Sequence, residues 1–102
     1  MVVHDYSNLL KMRGYETLAV DRRQHIFKKE HIHNLAYCVV SKDGHGKGES
    51  IAFSVVKGQR PSEPGEAMLA ECDFKYLEKE AARISEAFAE MKKTRKPRHV
   101  VF

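Results

Sequence analysis

Cysteine is scarce in this sequence. Only Cys38 and Cys72 occur in 102 residues, and they form no C-x-x-C pair. That excludes a disulfide-stapled scaffold and leaves each thiol to be read as a small buried hydrophobe. Long hydrophobic runs are missing too. No stretch approaches the ~20 apolar residues that a membrane-spanning helix needs. The opening residues, Met1-Val2-Val3-His4-Asp5, lack the basic flank and apolar core of a signal peptide, so a cytoplasmic protein is expected. Internal repeats, low-complexity segments and linkers are absent as well. What remains is 42% hydrophobic and 31% charged, too apolar for a disordered chain. The length fits one α+β domain over residues 1–96 with a short C-terminal tail over 97–102.

The stretch 74–91 gives the clearest pattern. Phe74, Leu77, Ala81, Ile84, Phe88 and Met91 recur in steps of three and four, the spacing of one helical face. Lys75, Glu78, Lys79, Glu80, Arg83, Glu86, Glu90 and Lys92 fill the intervals and are read as solvated. Residues 66–73 fit two patterns. Ala67 and Ala70 continue the stripe backwards, whereas Met68, Ala70, Cys72 and Phe74 alternate as a strand would. The better fit is one helix from about residue 66 to 94, stopped ahead of Pro97. At ~1.5 Å per residue it outreaches a small sheet, and the overhanging end is expected to be the basic one. A stripe of this kind needs a cover, and a sheet from the first half of the chain is the expected one.

That first half reads as a short helix and three strands. Residues 5–14 form the helix, with Asp5 as N-cap and Gly14 as the left-handed residue after the last turn. Residues 15–21 show a weak alternation. Arg22, Arg23, Gln24 and His25 read as a turn, Ile26-Phe27 as a continuation or a new start, and Lys28-Lys29-Glu30 as polar and exposed. Residues 31–42 make the best strand. Leu35, Tyr37 and Val39 point one way, Ala36, Cys38 and Val40 the other, which predicts a central strand covered at least partly on each side. Asp43-Gly44 is a hairpin signal, and residues 50–57 supply the returning strand. Residues 58–65, with Pro61, Pro64 and Gly65, read as a loop, and 100–102 as an edge strand beside 1–3 or a loose end. The fold class predicted is α+β: a three-stranded antiparallel sheet with a short N-terminal helix and a long amphipathic C-terminal helix packed on one face. In element order alone this resembles the double-stranded-RNA-binding domains. Where their second helix starts with lysines, however, this chain has Glu63, Pro64, Gly65 and Glu66.

Chemistry-bearing patterns are few. The loop Gly44-His45-Gly46-Lys47-Gly48 lacks the G-x-x-x-x-G-K-[ST] spacing of a phosphate loop and joins two strands, so it reads as a hairpin tip. Of the six histidines, His31 and His33 sit two apart on the predicted strand and share its face. They are the weak metal candidates, but a tetrahedral set is not completed. No catalytic residue is singled out and no cofactor is expected. Charge is the stronger signal. The net charge is +4, and Lys92, Lys93, Arg95, Lys96 and Arg98 form a run without an acid, suited to nucleic acid or an acidic partner. The same cations also suit a helix C-terminus. Arg22, Arg23, Lys28 and Lys29 form a smaller basic group.

The expected function is a small non-enzymatic binding or regulatory protein of inhibitor or adaptor type, acting on a protein partner. The helix stripe of Phe74, Leu77, Ala81, Ile84, Phe88 and Met91 is the expected dimer or partner face, with a homodimer where the helix outreaches its sheet. The alternatives are a nucleic-acid binder using the basic end of the helix and a small metal-independent ribonuclease.

Overall fold

A computed structural model describes residues 3–58 and 62–94. The element order is α1 (Val3–Met12), β1 (Glu16–Val20), β2 (Gln24–His31), β3 (Asn34–Lys42), β4 (Gly48–Lys57) and α2 (Pro64–Thr94). The architecture is α+β as the patterning predicts, but the sheet has four strands rather than three, in the order β1-β2-β3-β4. The added strand is β2. Its Lys28, Lys29 and Glu30 look like loop residues in isolation. In the sheet they alternate, and Lys29 takes a buried position in line with His25 and Phe27.

Each helix boundary has a local cause. At the end of α1, Gly14 sits at φ +89°, and Tyr15 N and Gly14 N donate to the carbonyls of Leu10 and Lys11, each at 3.0 Å. This is a Schellman-type stop, and its two flanking apolar residues, Leu10 and Tyr15, both belong to the core. At the start of α2, Pro64 has no amide to leave unpaired. The helix then runs unbroken through 66–73, so the strand reading of that segment fails. Asp73 lies inside the helix. The reading of 97–102 as a tail, and of the chain ends as paired edges, falls outside the described residues.

Antiparallel register sorts the sheet into two faces. Phe27 pairs with Cys38 and Cys38 with Phe53; His25, Val40 and Ile51 form the next row, and Lys29, Ala36 and Val55 a third. These rows meet both helices. Leu77, Ile84 and Phe88 from α2 join Tyr6 and Leu10 from α1 over Phe27, Cys38 and Val40 in one core. The spacing of the stripe thus does what its period implies: it is roofed by the chain's own sheet. Among the described residues the helix overhangs at its N-terminal end, not at the basic end expected. Phe88 is buried and Lys92 Nζ donates to the Glu49 carbonyl, so α2 is seated on β4 as far as Lys92. Met68 and Leu69, 69% and 61% exposed, project at the N-terminal end instead.

Candidate functional site

The reverse face of the sheet is left uncovered by both helices. Its rows are Ile26, Val39 and Ala52; Lys28, Tyr37 and Ser54; and Glu30, Leu35 and Val56. Both helices pack on the opposite side, so among the described residues no element covers these rows. Ile26, Leu35, Tyr37 and Val39 are half-buried by one another, and Ala52 and Val56 are exposed. The alternation in β3 announced apolar side chains on both faces; the cover expected on each is present on only one. Lys28 lies 3.5 Å from Glu30, which places both signs of charge among the apolar rows. Next to them β1 is exposed at all five positions, Leu18 included, and a bulge between Thr17 and Ala19 interrupts its pairing with β2. A kinked, short edge of this kind discourages unwanted strand addition.

On the helix side, polar groups gather where β2, β3 and α2 meet. Lys29 Nζ donates to Glu80 Oε1 at 2.8 Å and to the Arg13 carbonyl at 2.7 Å. Tyr76 donates its hydroxyl to Glu80 Oε2 at 3.1 Å. One turn earlier on α2, Asp73 pairs through Oδ1 with His31 Nδ1 and accepts from Asn34 Nδ2 through Oδ2 at 2.8 Å. Asn34 Nδ2 also donates to the Ala70 carbonyl at 2.8 Å. A histidine fixed by a buried carboxylate is a familiar proton-transfer arrangement. Here, though, the carboxylate also serves Asn34, and the neighbouring Tyr76 is committed to Glu80. The cluster fastens α2 to the β2–β3 hairpin. The Tyr15 hydroxyl is buried in the same region without a hydrogen bond. Burial, reinforced by Glu80, pushes its pKa far above the ordinary tyrosine value and keeps it protonated.

His31 and His33 do not share a strand face. His31 ends β2, and His33 belongs to the turn that follows, where Ile32 adopts φ +52°. Among the described residues no three His, Cys, Asp or Glu side chains converge as a metal site would require. No protein-family model matches the chain, and no curated protein or solved structure matches it.

The stripe residues are mostly spent inside the molecule. Leu77, Ala81, Ile84 and Phe88 are buried, while Phe74 and Met91 are half-buried at its margins. Phe74 is covered by Lys57, whose Nζ lies 5.4 Å from the ring centroid. Of the basic run, Lys92 lies against Phe88 and β4, and Lys93 stands 3.7 Å from Glu90. Arg95, Lys96 and Arg98 lie outside the described residues. Lys29 and Glu80, read from the sequence as exposed and solvated, are buried, as is Asp73. Their signal is present nonetheless: Asp73 and Glu80 are acids in phase with the apolar stripe, and Lys29 is a base in phase with Phe27.

Proposed function

We propose that the protein is a binding module that docks a protein partner across the uncovered face of its sheet. One observation carries this reading: a contiguous apolar surface of Ile26, Leu35, Tyr37, Val39, Ala52 and Val56 on a sheet whose other face already holds the core. Apolar sheet faces of this kind gain free energy when covered. The size of the face favours a transient partner. Four strands spaced by about 4.8 Å, with about eight residues at 3.3 Å each, give about 500 Å². Stable complexes bury about 800 Å² per partner, so this face fits regulatory docking better than permanent assembly. Tyr37 at its centre, between Lys28 and Ser54, is the expected anchor.

The test compares partner capture by the wild type, by Tyr37→Glu and Val39→Lys, and by the helix-surface control Lys79→Glu. One host protein in fixed stoichiometry should be retained by wild type and control and lost by both sheet variants. Identical capture by all four proteins, or capture that only Lys79→Glu abolishes, would refute the assignment. Size-exclusion chromatography with light scattering shows in the same samples whether the partner is a second copy.

A further inference from the structure

The meander brings together basic residues that are far apart in sequence. The β1–β2 turn and the β3–β4 loop emerge at the same end of the sheet, where Lys42 N donates to the Arg23 carbonyl at 2.8 Å. The last turn of α2 reaches that end as well, through the contact of Lys92 Nζ with the Glu49 carbonyl. Arg22, Arg23, Lys42, Lys47, Lys92 and Lys93 therefore occupy one end of the molecule. We propose that this end is a second binding site, separate from the sheet face, and that it takes the phosphate backbone of a nucleic acid.

The local structure frees the cations for that task. Asp21 Oδ1 accepts the amides of Arg23 and Gln24 at 2.7 and 2.9 Å. Asp43 Oδ1 accepts those of His45 and Lys47 at 2.8 and 3.0 Å. The two acids thus shape the turns and, among the described residues, form no close ion pair with the basic side chains. After those amides, Lys42 and Arg23 act on Asp21, and Lys47 on Asp43, in holding their carboxyls below the ordinary range. Among the described residues, Arg22, Arg23, Lys42 and Lys47 have no ion-pair partner. Between the two turns lies an open groove of about 910 Å³, lined by Arg22, Arg23 and Lys42, by the turn acids Asp21 and Asp43, and by Gly44 and Gly46, which leave room for close approach. A positive field is already felt beneath it. Lys42 and Lys11 add to burial in holding the His25 pKa below its ordinary value.

The arrangement selects among anions. Its cations come from three elements, and the two turns stand two strands apart, about 10 Å. That spread suits a row of phosphates better than one small anion. Among the described residues no aromatic side chain lines the groove, so base stacking is not offered and binding is to the backbone, without sequence preference. Val20 is the one large apolar side chain among the described residues that line it. That is too little to anchor an amphipathic surface in a bilayer. This site includes the helix end but does not depend on it, because three of its six bases lie on the turns and Lys42 ends the strand beside them.

The experiment measures fluorescence anisotropy of a labelled DNA duplex and an RNA duplex of about 20 base pairs with the full chain, between about 50 and 200 mM KCl. Vesicles containing phosphatidylserine, and polyglutamate, serve as comparators. Two triple variants remove equal charge: Arg22→Gln with Arg23→Gln and Lys47→Gln, against Lys75→Gln with Lys79→Gln and Arg83→Gln on α2. The first triple is expected to weaken duplex binding by about tenfold or more. It should also flatten the salt dependence by about one power of salt for each phosphate it no longer neutralises. The second is expected to stay within about twofold, because its charges lie away from the groove and act only through screened long-range attraction. Single reversals, Arg23→Glu and Lys47→Glu, repeat the measurement in proteins whose circular dichroism is unchanged. Absence of duplex binding at the lowest salt overturns the proposal. So do equal losses in the two triples, or tighter binding to vesicles or polyglutamate than to either duplex.

Discussion

His25 shows how one buried side chain sets a pH limit on this fold. Its Nε2 lies 3.0 Å from Thr17 Oγ1 and its Nδ1 3.4 Å from the Tyr6 hydroxyl, and the ring stacks on Phe27 with centroids 4.1 Å apart. Burial first, then Lys42 and Lys11, holds its pKa below the ordinary histidine value. The sign follows by linkage. As pH falls through about 6.5 the unfolded chain takes up a proton that the folded chain refuses, so stability falls with pH by at most about 1.4 kcal/mol per unit. His25→Gln is expected to flatten the acid side of the urea-midpoint profile between about pH 7.5 and 5.5. An acid limb equally steep in the variant would assign that limb to other groups. On the alkaline side burial raises Cys38 to about 12, and Tyr15 is raised as well. There the unfolded chain gives up protons first, so stability is complete below about pH 8.5 and falls above it. Only part of this could be read from the sequence. Cys38 as a buried hydrophobe follows from its strand phase. His25, placed in a polar run next to Arg22 and Arg23, gives no local sign that Tyr6, 19 positions earlier, will cover it.

At the scale of elements, β2 is the strand that local pattern hides. Lys28, Lys29 and Glu30 carry little strand propensity, and Lys29 becomes acceptable in the core only because Glu80, 51 positions away, supplies its counter-charge. A long-range pair of this kind leaves no trace in a short stretch of sequence. Its energetics follow the rule for buried ion pairs. Lys29 is 8% and Glu80 4% exposed, so removing one partner strands the other charge and also frees the Tyr76 hydroxyl or the Arg13 carbonyl. Glu80→Met alone is expected to destabilise the protein by about 3–5 kcal/mol, whereas combining it with Lys29→Met recovers most of that loss. Urea denaturation of the wild type, both single variants and the double variant measures the coupling. A double variant as unstable as the sum of its singles would mean the pair is not coupled. The same long-range logic parts His31 from His33. The pattern gives them one strand, but Asn34 and Asp73 hold the hairpin so that the chain turns between them.

Across the whole molecule, the α2 stripe was legible because its partner requirement is generic: any apolar sheet face will cover it. Which end of α2 would overhang was not legible, because that depends on how far the meander extends beneath it. The consequence is a gradient of stability along a single helix. Residues 64–69 touch little; at Ala70 and Asp73 the helix is fastened to Asn34, and from Leu77 to Phe88 it lies in the core. Local opening follows buried contact, so hydrogen exchange should be fast at Met68 and Leu69 and slower from Asp73 onward. It should reach the global unfolding free energy between Leu77 and Phe88. Asn34→Ala removes the fastening without touching the helix sequence. It is expected to move the boundary of slow exchange C-terminally by about one turn, at a cost of about 1–3 kcal/mol for the buried Asp73 carboxylate left short of a donor. Uniform protection from Met68 onward would show the overhang to be covered in solution, and an unmoved boundary in Asn34→Ala would show that the hairpin does not hold the helix there. Either result would also bear on the docking face, because Leu35 and Val56 sit on the strand ends that this fastening positions.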